Sequence, residues 1–319
     1  MGKQPDIVGN IWFNSRPLTP EDLKGKVVLV DFWTYSCVNC RRTLPYLRAW
    51  QEKYKDNGLV IIGVHTPEFE FEKDSINVTQ AIRDLGVEWP VVLDNDYINW
   101  NNFANHYWPA KYLIDQNGNI VYSHFGEGAY EETEREIQRL LRIHDPSVGH
   151  GTVKEDSHEH SEGGAVCFVS TGEIYCGYER GHLANTGGYR QDDVFEYRAP
   201  FELEADSIAL NGRFLVKEEY AEPAQNGAAI FLRFRATEVN LVIDPGEHPG
   251  DFVELTLNGV FLPREIWGDD VSEQAQIKIL KPKMYNLVHS KKLLEGVLGV
   301  KVIGGKMRFH AFTFSGCEA

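Results

Sequence analysis

Apolar and polar positions along the chain follow two rhythms. Up to about residue 143, unbroken apolar runs alternate with stretches of helical period. Val27-Val28-Leu29-Val30-Asp31-Phe32-Trp33 and Leu59-Val60-Ile61-Ile62-Gly63-Val64-His65 are runs of strand formers with almost no polar position, the pattern of strands buried on both faces. Between them, the stretch after Cys40 has helical period to about residue 55, where Asp56-Asn57-Gly58 stops it. A helix is predicted over 73–86, a short strand over 91–93, and a short helix over 97–106. Strands are predicted over 110–115 and 120–125, joined by the tight turn Gln116-Asn117-Gly118-Asn119. An amphipathic helix over 131–143 closes the unit. Residues 6–25 read as an irregular arm with one helical turn near 17–23. Strands alternating with helices, then a hairpin and a last helix, predict an α/β domain with a mixed sheet.

The second rhythm begins near residue 165. Short runs of period two recur with turn signals between them: 207–210, then Asn211-Gly212, then 213–216; 229–235; 238–243; 252–257 before Asn258-Gly259; 299–303; and 307–314. This predicts an all-β domain, an antiparallel sandwich of jelly-roll type. Residues 147–164 are polar and rich in Gly, His and Glu, and read as a linker. The expected division is therefore an α/β domain over 1–146, a linker over 147–164 and a β-sandwich domain over 165–319.

Composition narrows the function classes. A formal net charge of −15 argues against nucleic acid or an anionic membrane surface as partner. No apolar segment reaches the length of a membrane helix, and no apolar leader follows Met1. On these grounds the chain is expected to be cytoplasmic, unless a targeting segment has been removed from it. The five cysteines are too few for a disulfide scaffold. Cys167 and Cys176 could pair and leave Cys317 free; buried lone thiols are the other reading.

Cys37-Val38-Asn39-Cys40 sits where the first buried strand hands over to a helix. That junction is a thiol–disulfide site. The strand end fixes the loop, the helix aims its free N–H groups and dipole at Cys37, and Cys40 lies one turn on, within disulfide reach. Half of a zinc site is the competing reading, but it needs a second ligand pair at comparable spacing and none is near. His158-Glu159-His160 is a weak metal-like pattern in a segment that reads better as solvated linker.

The segment resembles the thioredoxin superfamily. Asp31, six residues before Cys37, holds the place of that family's buried carboxylate. Pro45, five after Cys40, holds the place of the proline that kinks the active-site helix. Trp108-Pro109 holds the place of the cis-proline loop that faces the cysteines. A closer resemblance is to the extracytoplasmic part of DipZ-type proteins, relatives of the TlpA/ResA group. It rests on Trp33-Thr34-Tyr35-Ser36-Cys37-Val38-Asn39-Cys40, Val64-His65-Thr66-Pro67-Glu68-Phe69, Leu93-Asp94-Asn95, Tyr107-Trp108-Pro109-Ala110-Lys111-Tyr112-Leu113-Ile114-Asp115 and Phe125-Gly126-Glu127-Gly128. Gly172-Glu173-Ile174-Tyr175-Cys176-Gly177-Tyr178 resembles, more loosely, the start of their C-terminal β-domain. Those relatives carry a membrane domain for electron transfer ahead of this part, and none is expected here.

The resemblance implies a thiol–disulfide oxidoreductase, acting as a protein-disulfide reductase. Cys37 would attack, Cys40 would resolve, Asp31 would take the proton and Pro109 would shape the groove. Trp33, Tyr35 and Trp108 are the expected groove residues, and Glu68 a candidate for tuning the cysteines. No dissociable cofactor is expected, since the redox group is the Cys37–Cys40 disulfide itself. The expected partners are a disulfide-bearing protein substrate and an upstream thiol electron donor. The β-domain could hold carbohydrate or build a homodimer. The alternatives are a thiol peroxidase, which Thr34-x-x-Cys37 echoes, and a redox-regulated carbohydrate- or protein-binding module. An extracytoplasmic location, as in the DipZ-type relatives, is the alternative to the cytoplasm.

Overall fold

The computed structural model describes residues 3–153 and 168–317. The chain divides into two compact units, Met1–Asp156 and Ser157–Ala319. The elements of the first are β1 (Trp12–Phe13), α1 (Pro20–Leu23), β2 (Val27–Trp33), α2 (Val38–Tyr54), β3 (Leu59–His65), α3 (Ser75–Asp84), β4 (Val91–Leu93), α4 (Ile98–Asn102), β5 (Ala110–Ile114), β6 (Ile120–Phe125) and α5 (Tyr130–Leu141).

One mixed sheet of six strands, ordered β1-β4-β3-β2-β5-β6, carries this unit. β2 pairs in parallel with β3 and antiparallel with β5, so it lies in the middle. That position explains why its seven residues are all buried. Side chains alternate between the faces. Val28, Val30 and Phe32 enter one core, with Val64 and Tyr112. Val27, Leu29 and Trp33 enter the other, with Cys40, Leu44, Leu47 and Trp50 of α2. Asp31 shares the parity of Leu29 and Trp33, so it faces α2.

The expected irregular arm contains β1, which adds an antiparallel edge strand at Trp12↔Val92 and Phe13↔Val91. A two-residue strand has no period to detect. Residues 147–153, expected as linker, pack on this unit. Val148 is buried in the α2-side core, and the Val153 amide donates to Glu134 Oε2 at 2.5 Å. The remainder of the expected linker, with His158-Glu159-His160, lies outside the described residues.

The second unit is all-β, with strands β7 (Ile174–Tyr175), β8 (Val194–Tyr197), β9 (Ser207–Val216), β10 (Ala221–Pro223), β11 (Ala229–Asp244), β12 (Phe252–Leu257), β13 (Val260–Phe261), β14 (Gln276–Lys278), β15 (Lys283–Ile303) and β16 (Arg308–Ser315). Hydrogen bonds link them into one path, β13-β12-β15-β11-β16-β10-β9-β8, rather than two separate sheets. The reason is strand length. β11 follows β15 along one edge, with a register shift between Ala236 and Glu238. Its other edge takes β9 over 229–233 and β16 over 238–244. The runs 229–235 and 238–243 are thus one bulged strand. Asn211-Gly212 is not a hairpin turn either: β9 runs straight through it. Gly212 takes φ +97°, and from there the strand pairs with β8 and β10 in place of β11. Cys176 is a free, fully buried thiol, so it does not pair with Cys167, which lies outside the described residues. Cys317 is disulfide-bonded, not free.

Candidate active site

β2 ends at Trp33, and the turn Thr34-Tyr35-Ser36 delivers Cys37 as the N-cap of α2. Its sulfur accepts the Cys40 amide at 3.3 Å, as an N-cap acceptor does. Cys37 is half-buried, whereas Cys40, inside the first helical turn, is only 1% exposed. Burial raises the Cys40 thiol well above its ordinary pKa, and its contact with Cys37 adds to this. The Trp108–Pro109 bond is cis, and the Pro109 carbonyl accepts the Gly126 amide at 2.8 Å.

Below Cys40 lies a buried pair of opposite charge. Asp31 on β2 stands opposite Lys111 on β5 in the antiparallel register. Lys111 shares the parity of Leu113, which faces α2, so both side chains project to that side. Asp31 Oδ1 and Lys111 Nζ make no hydrogen bond among the described residues. Burial pushes the Asp31 carboxyl up to about 7, with the Lys111 charge pulling the other way. Burial also lowers Lys111, against the charges of Asp31, Cys40 and Glu127. Both shifts favour the neutral forms, as burial does to charges that lack hydrogen-bond partners. The Lys111 ammonium also sits 5.4 Å from the centre of the Tyr130 ring.

A second polar group braces the turn from the side. Glu72, in the 3₁₀ helix Glu70–Lys73, is fully buried and accepts the Ser36 hydroxyl at 2.6 Å. Burial pushes it up to about 7, with hydrogen bonds from Ser36 and Thr34 opposing. Thr34 Oγ1 lies 3.4 Å from His65 Nε2. Burial holds that ring neutral, down at about 3.

Residues 13–141 match the family described as Redoxin, and residues 171–315 that described as Thioredoxin like C-terminal domain. Protein DipZ of Mycobacterium tuberculosis is 40% identical over 250 residues, 76% of this chain and 35% of DipZ. Thiol-disulfide oxidoreductase YkuV of Bacillus subtilis is 29% identical over 139 residues, 43% of this chain and 93% of that protein. Thiol-disulfide oxidoreductase ResA of Bacillus cereus is 30% identical over 120 residues, 38% of this chain and 66% of that protein. The first unit carries a thioredoxin-like Redoxin domain, similar to DipZ, YkuV and ResA. It spans about a third of the length of the DipZ proteins.

Within this thioredoxin-like site, the structure brings Cys37, Cys40 and Asp31 to one face of the sheet. It corrects two of the expected groove residues. Trp33 and Tyr35 are 1% and 4% exposed, so neither can line a groove. Trp33 fills the space over Gly63, and Tyr35 stacks on His65 with ring centres 5.7 Å apart. Both belong to the core because β2 is central and the turn folds inward. Trp108 is half-buried, its indole N–H donating to the Thr66 carbonyl at 3.0 Å. Glu68 is half-exposed. The buried carboxylate next to the cysteine turn is Glu72 instead.

Lys111 and Glu72 were missed from the sequence. Lys111 had one signal, its position two residues before Leu113 in a buried strand. Glu72 had none, since it lies in the alternating run Glu68-Phe69-Glu70-Phe71-Glu72-Lys73, which reads as a solvated face. Among the described residues no group of three or more His, Cys, Asp or Glu side chains is arranged to hold a metal ion. No helix among them is long and apolar enough to cross a membrane.

Proposed function

We propose that the chain reduces protein disulfides through the Cys37–Cys40 dithiol. The observation that carries this reading is the contrast in exposure between the two sulfurs, with the buried Asp31 carboxyl on the side of the inner one. The Cys37 thiolate attacks one sulfur of a substrate disulfide. A mixed disulfide forms and the substrate's other sulfur leaves as a thiolate, which takes a proton from water. Cys40 then passes its proton to ionised Asp31, and its thiolate attacks Cys37. The Cys37–Cys40 disulfide forms as the bond from Cys37 to substrate breaks, and the second substrate sulfur leaves. A thiol pushed up by burial needs such an acceptor, and an acid held up to about 7 is matched to exchange protons near neutrality. Lys111 supports the ionised form of Asp31 by its charge. Two electrons pass to the substrate, and an upstream thiol donor returns them. No dissociable cofactor enters the cycle.

The peroxidase reading is disfavoured by Thr34, whose hydroxyl is buried against His65 and Glu72. We read the β unit as an accessory domain of jelly-roll type for binding or assembly. Long bulged strands that change partners, as β9 and β11 do, support that reading because they form the corners of packed sheets. The disulfide at Cys317 favours the extracytoplasmic alternative, because structural disulfides persist in oxidising compartments. A reductase there depends on its donor, which fits the proposed cycle.

The test is insulin-disulfide reduction and hydrogen-peroxide turnover by wild type, Cys37→Ser and Cys40→Ser. Reduction should be lost in both variants, and peroxide turnover should be slow throughout. Full reductase activity in Cys40→Ser would remove the resolving role.

A further inference from the structure

The cycle above uses one buried carboxylate, and the redox turn is held by another. Glu72 is 0% exposed, and besides the hydrogen bond from Thr34 it accepts four others. Its Oε1 takes the Ser36 hydroxyl at 2.6 Å and the Ser36 amide at 3.4 Å. Its Oε2 takes the amides of Glu68 at 2.6 Å and Phe69 at 3.0 Å. Three of the donors are backbone N–H groups, which can only donate, so the site is built around a carboxylate. The four bonds join two separate segments: the turn immediately before Cys37, and the connection from β3 to α3.

That connection is itself tied to the cis-proline loop. The Trp108 indole donates to the Thr66 carbonyl at 3.0 Å, two residues before Glu68. A continuous path therefore runs from Trp108, through residues 66–72, to Ser36 and the cysteine beside it. Ordinary packing would need only an apolar side chain at position 72. A buried acid here carries a desolvation cost that these directed bonds offset.

We propose that Glu72 is a positioning residue for Cys37, fixing the Ser36–Cys37 turn against the segment that holds Trp108. The proposal rests on Cys37 being the nucleophile, but its test needs no protein substrate. The full chain is prepared as wild type, Glu72→Gln and Ser36→Ala. Two quantities are measured: the rate of reduced Cys37 with a small aromatic disulfide, and the equilibrium constant of the Cys37–Cys40 couple against glutathione. Gln keeps the size and one carbonyl acceptor, but puts an N–H₂ where donors now point. Glu72→Gln should slow the reaction about tenfold, the scale of one charge-assisted hydrogen bond, and shift the equilibrium at least fivefold. Ser36→Ala should act in the same direction by less. The double variant should be no worse than Glu72→Gln alone, because both changes break one shared contact. Wild-type rate and equilibrium within twofold in Glu72→Gln, with only stability lowered, overturns the proposal. If Glu72→Gln does not fold, Ser36→Ala carries the same criteria. Failure here leaves the insulin assay unaffected, whereas loss of the two-cysteine reading would show there first.

Discussion

Replacing Asp31 by Asn should stabilise the redox unit, and by an amount that depends on pH. Asp31 is 1% exposed, and burial moves its carboxyl from the ordinary 3.8 up to about 7. Below pH 3.8 both folded and unfolded chains hold the proton, and the group costs nothing. Between 3.8 and 7 the unfolded chain releases it while the folded one keeps it. Stability then falls by ~1.4 kcal/mol per pH unit. Above pH 7 the loss levels off at about 4 kcal/mol, three units' worth for a fully buried group. Asparagine does not ionise, so its advantage should be about 2 kcal/mol at pH 5.5 and about 4 kcal/mol at pH 8.5. The assay is urea unfolding of the reduced chain at both pH values, followed by tryptophan fluorescence. Six of the seven tryptophans lie in the first unit, so the signal reports that unit. Lys111→Met should push the end of the wild-type slope above pH 7, because the ammonium lowers the Asp31 pKa. An Asn advantage equal at the two pH values, or an Asn variant less stable at pH 8.5, refutes the argument. The buried acid would then not be ionising in the folded chain as described.

Two further outcomes follow from the packing. Gly63→Ala should destabilise the redox unit by about 1–3 kcal/mol in the same unfolding assay, because the new Cβ would stand 2.9 Å from Trp33 Nε1, 3.2 Å from Val91 Cγ2 and 3.3 Å from Trp89 Nε1; an unchanged midpoint would mean that the two indoles are not held there. Cys176 is fully buried and its thiol is raised by burial. Iodoacetamide should therefore label Cys37 in the folded, reduced chain and leave Cys176 unlabelled until denaturant is added, as read by peptide mass mapping; early labelling of Cys176 contradicts the core assignment.

The parts of the fold that were legible in advance are those in which burial alone decides the pattern. β2 and β3 are buried on both faces, so their unbroken apolar runs marked both ends correctly. Asp31 stood out because it interrupts such a run. Lys111 stood out less, because a strand lysine is ordinarily on the wet face and only its parity with Leu113 points inward. Its burial comes from the Asp31↔Lys111 register, a long-range pairing that no local period encodes. Tyr35 was misjudged for a related reason. A loop aromatic beside the cysteines suits a groove wall, but the stacking partner that draws it inward, His65, lies at the end of another strand. In the second unit, Asn211-Gly212 carries hairpin chemistry and serves instead as a partner change inside β9. The positive φ that favours a turn equally permits a bulge, and only the neighbouring strands decide which.

The tail of the redox unit bears on where it can be cut. Composition changes near residue 146, yet the α5 residue Glu134, 1% exposed, binds the Val153 amide as well as Lys53 Nζ at 2.8 Å and the Tyr54 hydroxyl at 2.5 Å. The Gly151 carbonyl in turn accepts Gln138 Nε2 at 3.0 Å. Severing the chain at the compositional boundary would strip an amide from a buried carboxylate and uncover the seat of Val148. An excised redox fragment that keeps this core intact therefore has to extend through Val153.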